Sequence, residues 1–211
     1  MPTPWSNAIK AVKQLTIFPT SKVTGGPWAK VFTNALAEFN KLSAKHSLGV
    51  TFVVATTAPD PSGVGGADVQ FDTINGKANF TSFNQAFSTT LSGNATAGDT
   101  EIVSEVFGSK KTIAKAFVFV PATPKVGSAT GRVVGDPVKL VIAAHELIHA
   151  CGLDNSDHSS FAKADLFFSP MQVSQGATPA ADSLTPFGLS APVMPPLVLA
   201  APTIKLIQTN W

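Results

Sequence analysis

The sequence contains no tyrosine, one cysteine and few charged residues. Only 13% of its 211 residues are charged, about half the usual share for a soluble domain, while 44% are apolar. The single cysteine, Cys151, excludes an intrachain disulfide. The net charge of +2 includes no basic run, which argues against nucleic acid or an anionic membrane surface as a partner.

Long hydrophobic runs are also missing from the sequence. The first residues lack the basic-then-apolar pattern of a signal peptide, and the apolar stretch 192–202 is short and broken by prolines. We therefore expect no membrane insertion, and we expect a monomer. The sequence does not decide the localisation of the protein, which could be cytoplasmic, particle-associated or exported by a non-classical route.

Apolar periodicity predicts two helices in the chain. Apolar residues recur at helical spacing from Trp28 to about His46, a segment that Pro27 is well placed to open. A second, almost wholly apolar helix is expected at 138–151, with Gly152 as its C-terminal cap. After Asp154 the chain is expected to be loop-like, with regular structure only near 203–208.

Short apolar or alternating segments predict the strands. The segment 8–18 is expected to be a strand or extended arm, and 50–58 a buried strand. Segments 67–74 and 77–83 are expected to form a hairpin around an Asn75-Gly76 turn. Residues 84–100 are expected to be loop, and the last two strands are placed at 100–107 and 111–121 with a turn at 108–110.

These elements predict an α+β fold with one mixed, twisted sheet, a backing helix and a central second helix. We expect a single domain over residues 1–211. Residues 1–152 would hold the sheet and the helices, and residues 153–211 a long, irregular, loop-rich part.

The second predicted helix carries the pattern His145-Glu146-x-x-His149. Two histidines four residues apart lie on one helix face, where two neutral imidazoles can bind one zinc ion. Glu146 can accept a proton from a zinc-bound water as that water attacks a carbonyl carbon. The alternative is a core helix with two partnered histidines, but buried polar groups need partners and the neighbouring residues are apolar. We therefore expect a zinc site with Glu146 as the catalytic base.

This pattern, continued by Gly152, resembles the metzincin family of zinc endopeptidases, whose motif is H-E-x-x-H-x-x-G-x-x-H followed by a methionine turn. Ser169-Pro170-Met171 stands where that turn would fall. The order of the elements is also similar to the matrixin-type catalytic domain. The resemblance implies a zincin-like fold, Zn²⁺ as cofactor, a protein or peptide substrate, and Met171 as a hydrophobic floor under the metal.

The third zinc ligand departs from the family motif. The family's third histidine would fall at position 155, where this chain has Asn155. A loop lengthened by three residues would bring His158 to the same place, so we expect His158 to be the third ligand. Asp154 and Asp157 are alternatives, as is Asn155 itself, and Asp157 could instead orient a ligand histidine.

Other expectations concern the surroundings of the site. Cys151 should face the core rather than the zinc, and His46 should be structural. The resemblance implies that substrate binds as an extra strand on a sheet edge, for which the strand near 117–120 is a candidate. It also implies that residues 173–180 line the pocket for the residue after the cut.

Two classes of function follow, and a zinc amidase acting on a non-peptide amide is a third possibility. The first is a zinc-dependent endopeptidase, and the second is a structural or binding protein, such as a particle or surface component, with a relict or structural zinc site. An open fourth coordination position would favour the enzyme, whereas a closed site with four protein ligands would favour the structural protein.

Overall fold

The structure is a computed structural model and describes residues 2–107, 109–126, 131–159, 165–188 and 192–211. Within these ranges the chain forms five α-helices: α1 (Asn7–Val12), α2 (Ser21–Thr24), α3 (Ala29–His46), α4 (Asp136–Ala150) and α5 (Ala201–Asn210). It also forms nine strands: β1 (Gln14–Pro19), β2 (Thr51–Val54), β3 (Val69–Ile74), β4 (Gly76–Ser82), β5 (Gln85–Leu91), β6 (Asp99–Phe107), β7 (Lys110–Pro121), β8 (Met171–Ser174) and β9 (Ser183–Pro186).

Five of the strands form one mixed sheet in the order β2-β1-β3-β7-β6. The first four are parallel to one another, and β6 pairs antiparallel with β7. Parallel neighbours need a crossover connection, and α3 lies in the one that joins β1 to β2. The fold is therefore α+β with a mixed sheet, as the sequence predicts.

The two faces of the sheet are covered by different elements. On β7, Ala116, Val118 and Val120 belong to the main core together with the buried residues of α3 and α4. The alternate residues Phe117 and Phe119 lie on the other face, where they contact Phe80 of the β4–β5 hairpin. This period of two is what a strand buried on both faces requires.

Both predicted long helices are confirmed. The apolar stripe of α3 is buried as expected: Val31, Phe32, Ala35, Leu36, Phe39 and Leu42. Helix α4 packs between α3, β6 and β7 and is buried along most of its length, including Glu146 and His149. The His145-Glu146-x-x-His149 motif therefore lies in the interior of the protein, next to the first residues of β6.

Both ends of the described chain meet the end of α4. The indole Nε1 of Trp5 donates to the Ala150 carbonyl at 2.8 Å. The Trp211 Nε1 and the Asn210 Nδ2 donate to the Cys151 carbonyl at 3.0 and 2.9 Å. These bonds satisfy carbonyls that the last turn of a helix leaves without intrahelical partners.

Two of the predicted strands are wrong in part. The segment 8–18 is split between a short helix and a strand, because the Ser6 hydroxyl accepts from the Ile9 amide and starts α1, and Lys13 at φ 56° ends it. The strand at 50–58 exists only as β2, and only one of its residues, Phe52, is buried. This strand lies at the sheet edge, so Val53 and Val54 are exposed.

The predicted hairpin at Asn75-Gly76 is also wrong. β3 pairs with β7, and β4 pairs instead with β5, a strand inside the segment expected to be loop. The tight turn lies at Phe83-Asn84, both with positive φ. Asn75-Gly76 does change the chain direction, but it leads the chain out of the sheet, with the Asn75 side chain accepting from the Gly93 amide.

The strands at 100–107 and 111–121 are confirmed as β6 and β7, although Gly108 of the predicted turn lies outside the described residues. The segment 117–120 is not a sheet edge, because β7 lies between β3 and β6. The irregular part after residue 152 contains α5 and the β8–β9 pair. No helix in the described ranges is long and apolar enough to cross a membrane.

Candidate metal centre

His145 and His149 project from one face of α4, one turn apart. The centroids of their rings are 5.1 Å apart. After α4 the chain turns at Gly152, whose φ of +101° favours glycine. A Cβ there would come within 2.2 Å of the Thr3 carbonyl oxygen, so a side chain does not fit at this turn.

The turn at Gly152 brings a third imidazole to the same point. The His158 Nε2 lies 3.0 Å from the Nε2 of His145 and 3.1 Å from the Nε2 of His149. The three ligand atoms lie within 4.8 Å of one another, and no other His, Cys, Asp or Glu of the described ranges joins them. The structure thus brings His158 to the pair, as expected, whereas its role as a ligand stays a prediction.

Hydrogen bonds fix the tautomers of these rings. The Nδ1 of His145 is 2.8 Å from the Leu166 carbonyl oxygen, and that of His149 is 2.8 Å from the Leu153 carbonyl oxygen. Carbonyls only accept, so both Nδ1 atoms carry the proton. His158 likewise donates to the Asn155 carbonyl. A neutral imidazole has one N–H, so the Nε2 lone pairs face a common point.

Burial keeps the rings in this neutral form. Desolvation, reinforced by the neighbouring His149, lowers the pKa of His145 to about 3. Burial lowers the pKa of His149 to about 4, and it also lowers the pKa of His158. Neutral imidazole is the form that binds metals.

The donor set fits a zinc ion. Three convergent lone pairs repel one another unless a cation lies between them. Zn–N bonds of about 2.0–2.1 Å at tetrahedral angles place two ligand nitrogens roughly 3.3 Å apart, close to the two observed separations. The carbonyls of Leu166 and Leu153 are the outer partners that usually orient metal-bound histidines.

The alternative ligands Asp154 and Asp157 are engaged elsewhere. They form a reciprocal capping box around the short 3₁₀ turn Asn155–Asp157. The Asp154 carboxylate accepts from the amide and hydroxyl of Ser156, and Asp157 accepts from the Asp154 amide at 3.0 Å. This box fixes the loop that carries His158. Asn155 is exposed and lines the cavity described below.

Phe167 forms the floor of the cluster. It is fully buried, and its ring centroid lies 5.1, 4.8 and 4.5 Å from those of His145, His149 and His158. The resemblance implies Met171 in this place; it lies at the start of β8, partly buried and at the cavity wall, and its role as a floor under the metal stays a prediction. The aromatic ring is thus the group that packs under all three imidazoles.

Glu146 is buried beside the cluster, and its carboxylate is held by the start of β6. Its Oε2 accepts from the Thr100 hydroxyl at 2.7 Å, and it accepts a further hydrogen bond from the Gly98 amide. Burial raises the pKa of Glu146 to about 8, against the lowering effect of these bonds. A cation at the three imidazoles would lower this pKa again.

A cavity of about 190 Å³ joins these groups. Its walls come from the 96–100 segment, from α4 and His158, and from Phe168, Ser169, Met171 and Leu184. A water molecule's share of liquid volume is about 30 Å³, so the cavity has room for more than a single water. Residues 173–180 are not among the residues that line it, whereas the β8–β9 pair contributes Met171 and Leu184.

The two remaining residues singled out in the sequence lie away from the cavity. Cys151 is fully buried, faces the core as expected, and donates to the Leu147 carbonyl. His46 ends α3 and is not part of the histidine cluster.

Four contributors to the site are not predicted from the sequence: Gly98, Thr100, Leu166 and Phe167. Leu166 contributes only a backbone carbonyl, which no sequence pattern reveals. Phe167 is one of fifteen phenylalanines. Among these contributors, only those at residues 98–100 carry a sequence signal for the site, because a glycine is followed there by two polar residues at the start of a predicted strand.

Comparison with known proteins assigns no relative. No protein-family model matches the chain, and a search of curated proteins finds no match. The geometry of the site therefore carries the functional argument alone.

Proposed function

We propose that this protein is a zinc-dependent endopeptidase. His145, His149 and His158 would hold Zn²⁺, and Glu146 would act as the general base in the hydrolysis of a peptide bond. The observation that carries the proposal is the convergence of three imidazole Nε2 atoms, each ring donating its N–H to a backbone carbonyl. A cation bound between the three lone pairs would remove their mutual repulsion, which supports a metal site.

The number of ligands favours catalysis over a structural zinc site. Structural zinc sites are closed by four protein ligands, whereas catalytic sites have three and leave one position open. The cluster contains three candidates in the described ranges, and the two nearest carboxylates are tied into their own capping box. The open side faces the cavity that also contains Glu146.

When bound, zinc would supply a Lewis acid that acidifies water and polarises a carbonyl oxygen. The chain's own residues would do the rest. Glu146, as carboxylate, would accept the proton of the attacking water and pass it to the leaving amine. The Thr100 hydroxyl and the Gly98 amide hold that carboxylate in one position, so the proton acceptor is pre-oriented.

The edge strand β6 supports a peptide as the substrate. It is the sheet edge on the side of the cavity, and its first residues, Asp99 and Thr100, line the cavity wall. An extended peptide added along this edge would place a backbone carbonyl near the histidine cluster. This arrangement, with the motif on α4 and Met171 at the wall, is what a metzincin fold of the matrixin type would require, and we include that fold in the proposal.

The first test is the zinc content of the purified protein. Wild type, His158→Ala and His46→Ala are compared by elemental analysis after supply and removal of excess zinc. We expect one zinc per chain in wild type and in His46→Ala, and a clear loss in His158→Ala. Absence of zinc from the wild type would refute the proposal.

Catalysis is then tested with a quenched fluorescent peptide library. Zinc-loaded wild type should cleave members of the library, and Glu146→Ala should retain zinc but lose cleavage. Zinc retention without cleavage in the wild type would favour the structural or binding protein. Cleavage by Glu146→Ala at the wild-type rate would remove Glu146 from the mechanism.

A further inference from the structure

A buried carboxylate outside the histidine cluster connects α5 to the segment under the metal site. Asp165 is fully buried. Its Oδ2 accepts from the Thr203 hydroxyl at 2.7 Å, and its Oδ1 accepts from the amides of Ala200 at 3.1 Å and Phe167 at 3.2 Å. Ala200 is the N-cap residue of α5 and has no side chain that could cap the helix. Asp165 therefore caps α5 from a distant part of the chain.

The two residues after Asp165 are the ones that shape the cluster. The Leu166 carbonyl accepts from the His145 Nδ1, and the Phe167 ring lies against all three imidazoles. The Leu166 amide donates to the Val198 carbonyl at 2.8 Å, just before α5. Segment 165–167 is thus fixed mainly by bonds to residues 198–203.

The C-terminal end of α5 is connected through the backbone to the imidazole of His149. Asn210 donates to the Cys151 carbonyl, two residues before Leu153. The Leu153 carbonyl accepts from the His149 Nδ1. One ten-residue helix therefore contacts both backbone segments whose carbonyls orient the α4 histidines.

We propose that Asp165 and Thr203 are positioning residues for the metal centre. Through their hydrogen bond, α5 holds the Leu166 carbonyl where it fixes the tautomer and the direction of the His145 ring. This inference rests on the proposed function only in taking His145 as a metal ligand. It assigns to α5, far from the motif in sequence, a part in metal affinity.

The test uses two substitutions at Thr203. Thr203→Val keeps the shape and removes the hydroxyl, whereas Thr203→Ser keeps the hydroxyl. Thr20→Val is the matched control, because the Thr20 hydroxyl donates to Asp72 at 2.5 Å in another part of the molecule. Loss of an outer partner weakens metal binding by about 10–100-fold, so we expect a zinc Kd about tenfold higher for Thr203→Val.

The Kd is measured by competition with a chromophoric chelator on the full chain, and the Co²⁺ absorption spectrum reports ligand geometry. Thr203→Ser and Thr20→Val should keep the wild-type Kd and spectrum. A folded Thr203→Val variant with both readouts unchanged would overturn the proposal. An equal loss of affinity in Thr20→Val would do the same, because it would show that lowered stability alone is responsible.

A second readout needs no metal and separates this proposal from the first. In ¹⁵N NMR of the metal-free chain, the His145 Nδ1–H should give a downfield, exchange-protected signal in wild type and in Thr203→Ser. The signal should shift or broaden in Thr203→Val. If it does so in a protein that binds no zinc, Thr203 positions the His145 ring as proposed, and the zinc proposal alone fails. An unchanged signal refutes the positioning role whatever the zinc result.

Discussion

Gly98 and Glu146 are in such close contact that any side chain at position 98 would displace the Glu146 carboxyl group. A Cβ built on Gly98 would lie 2.6 Å from the Cγ and 2.8 Å from the Cδ of Glu146. The Gly98 amide also donates to the Glu146 carboxylate. The backbone before β6 therefore both leaves room for the proposed base and holds it.

We expect Gly98→Ala to lower kcat/KM by about 100-fold without loss of zinc, because the carboxyl group must move while the imidazoles stay in place. Peptide hydrolysis and zinc content of the same preparation measure this. Gly63→Ala is the control, since a Cβ there meets nothing within 4 Å. A Gly98→Ala enzyme with full activity would show that the position of Glu146 does not matter.

The metal-free protein should lose stability in acid. The pKa of His145 is about 3 and that of His149 about 4, against an ordinary 6.5. Below pH 6.5 the unfolded chain binds protons that the folded chain does not, so the free energy of unfolding falls as the pH decreases. The two imidazoles alone contribute on the order of 2 kcal/mol per pH unit between pH 6.5 and 4.5, and the proton that folded Glu146 retains opposes about half of this, so we expect a net slope on the order of 1 kcal/mol per pH unit. Urea unfolding at a series of pH values, with EDTA present, measures it. A flat profile there would contradict burial of these rings.

The same titration should show the opposite trend on the alkaline side, because of Glu146. Its pKa is raised from 4.5 to about 8, so the folded protein keeps a proton that the unfolded chain releases. Stability therefore falls as the pH rises towards 8, which places the maximum near pH 6.5. Glu146→Gln removes this titration, so the variant without metal should be more stable than wild type at pH 8. Equal stability at pH 8 would argue against a buried, protonated carboxyl.

Phe167→Leu should weaken zinc binding several-fold, because the ring that packs against all three imidazoles is lost. The loss of stability should be roughly 1–2 kcal/mol. Phe39→Leu is a suitable control, since Phe39 is also fully buried but lies on α3 and packs against Phe52. The prediction fails if the two variants bind zinc with the same affinity.

The sequence predicts α3, α4, β6 and β7 well because each has a strong local signal. The stripe from Val31 to Leu42 has the helical period, and Gly152 marks a helix end that only a positive φ permits. The pair His145 and His149 follows from the same periodicity. These features depend on residues close together in the chain.

The predictions that are wrong concern elements whose positions depend on contacts between residues far apart in the chain. The sequence predicts a hairpin at Asn75-Gly76, which has the preferred turn composition, but β3 pairs along its whole length with the buried strand β7 instead. The real turn includes Phe83 at φ 50°, a conformation that phenylalanine rarely adopts. No local rule predicts it.

The residues around the site also separate into those that a local sequence signal predicts and those that contacts between distant residues place. His158 could be proposed because few histidines exist, but its approach to the pair depends on the capping box between Asp154 and Asp157. Phe167 was not predicted, because its place under the rings is set by Asp165 and α5.

The tryptophans give this molecule an intrinsic optical probe. With no tyrosine present, its near-ultraviolet emission comes from three indoles. Two of these, Trp5 and Trp211, donate to the carbonyls of Ala150 and Cys151, immediately after His149. A change in the histidine cluster that moves the end of α4 would alter the polarity around both rings. The fluorescence of the unlabelled protein should therefore follow events at the proposed metal centre as they happen.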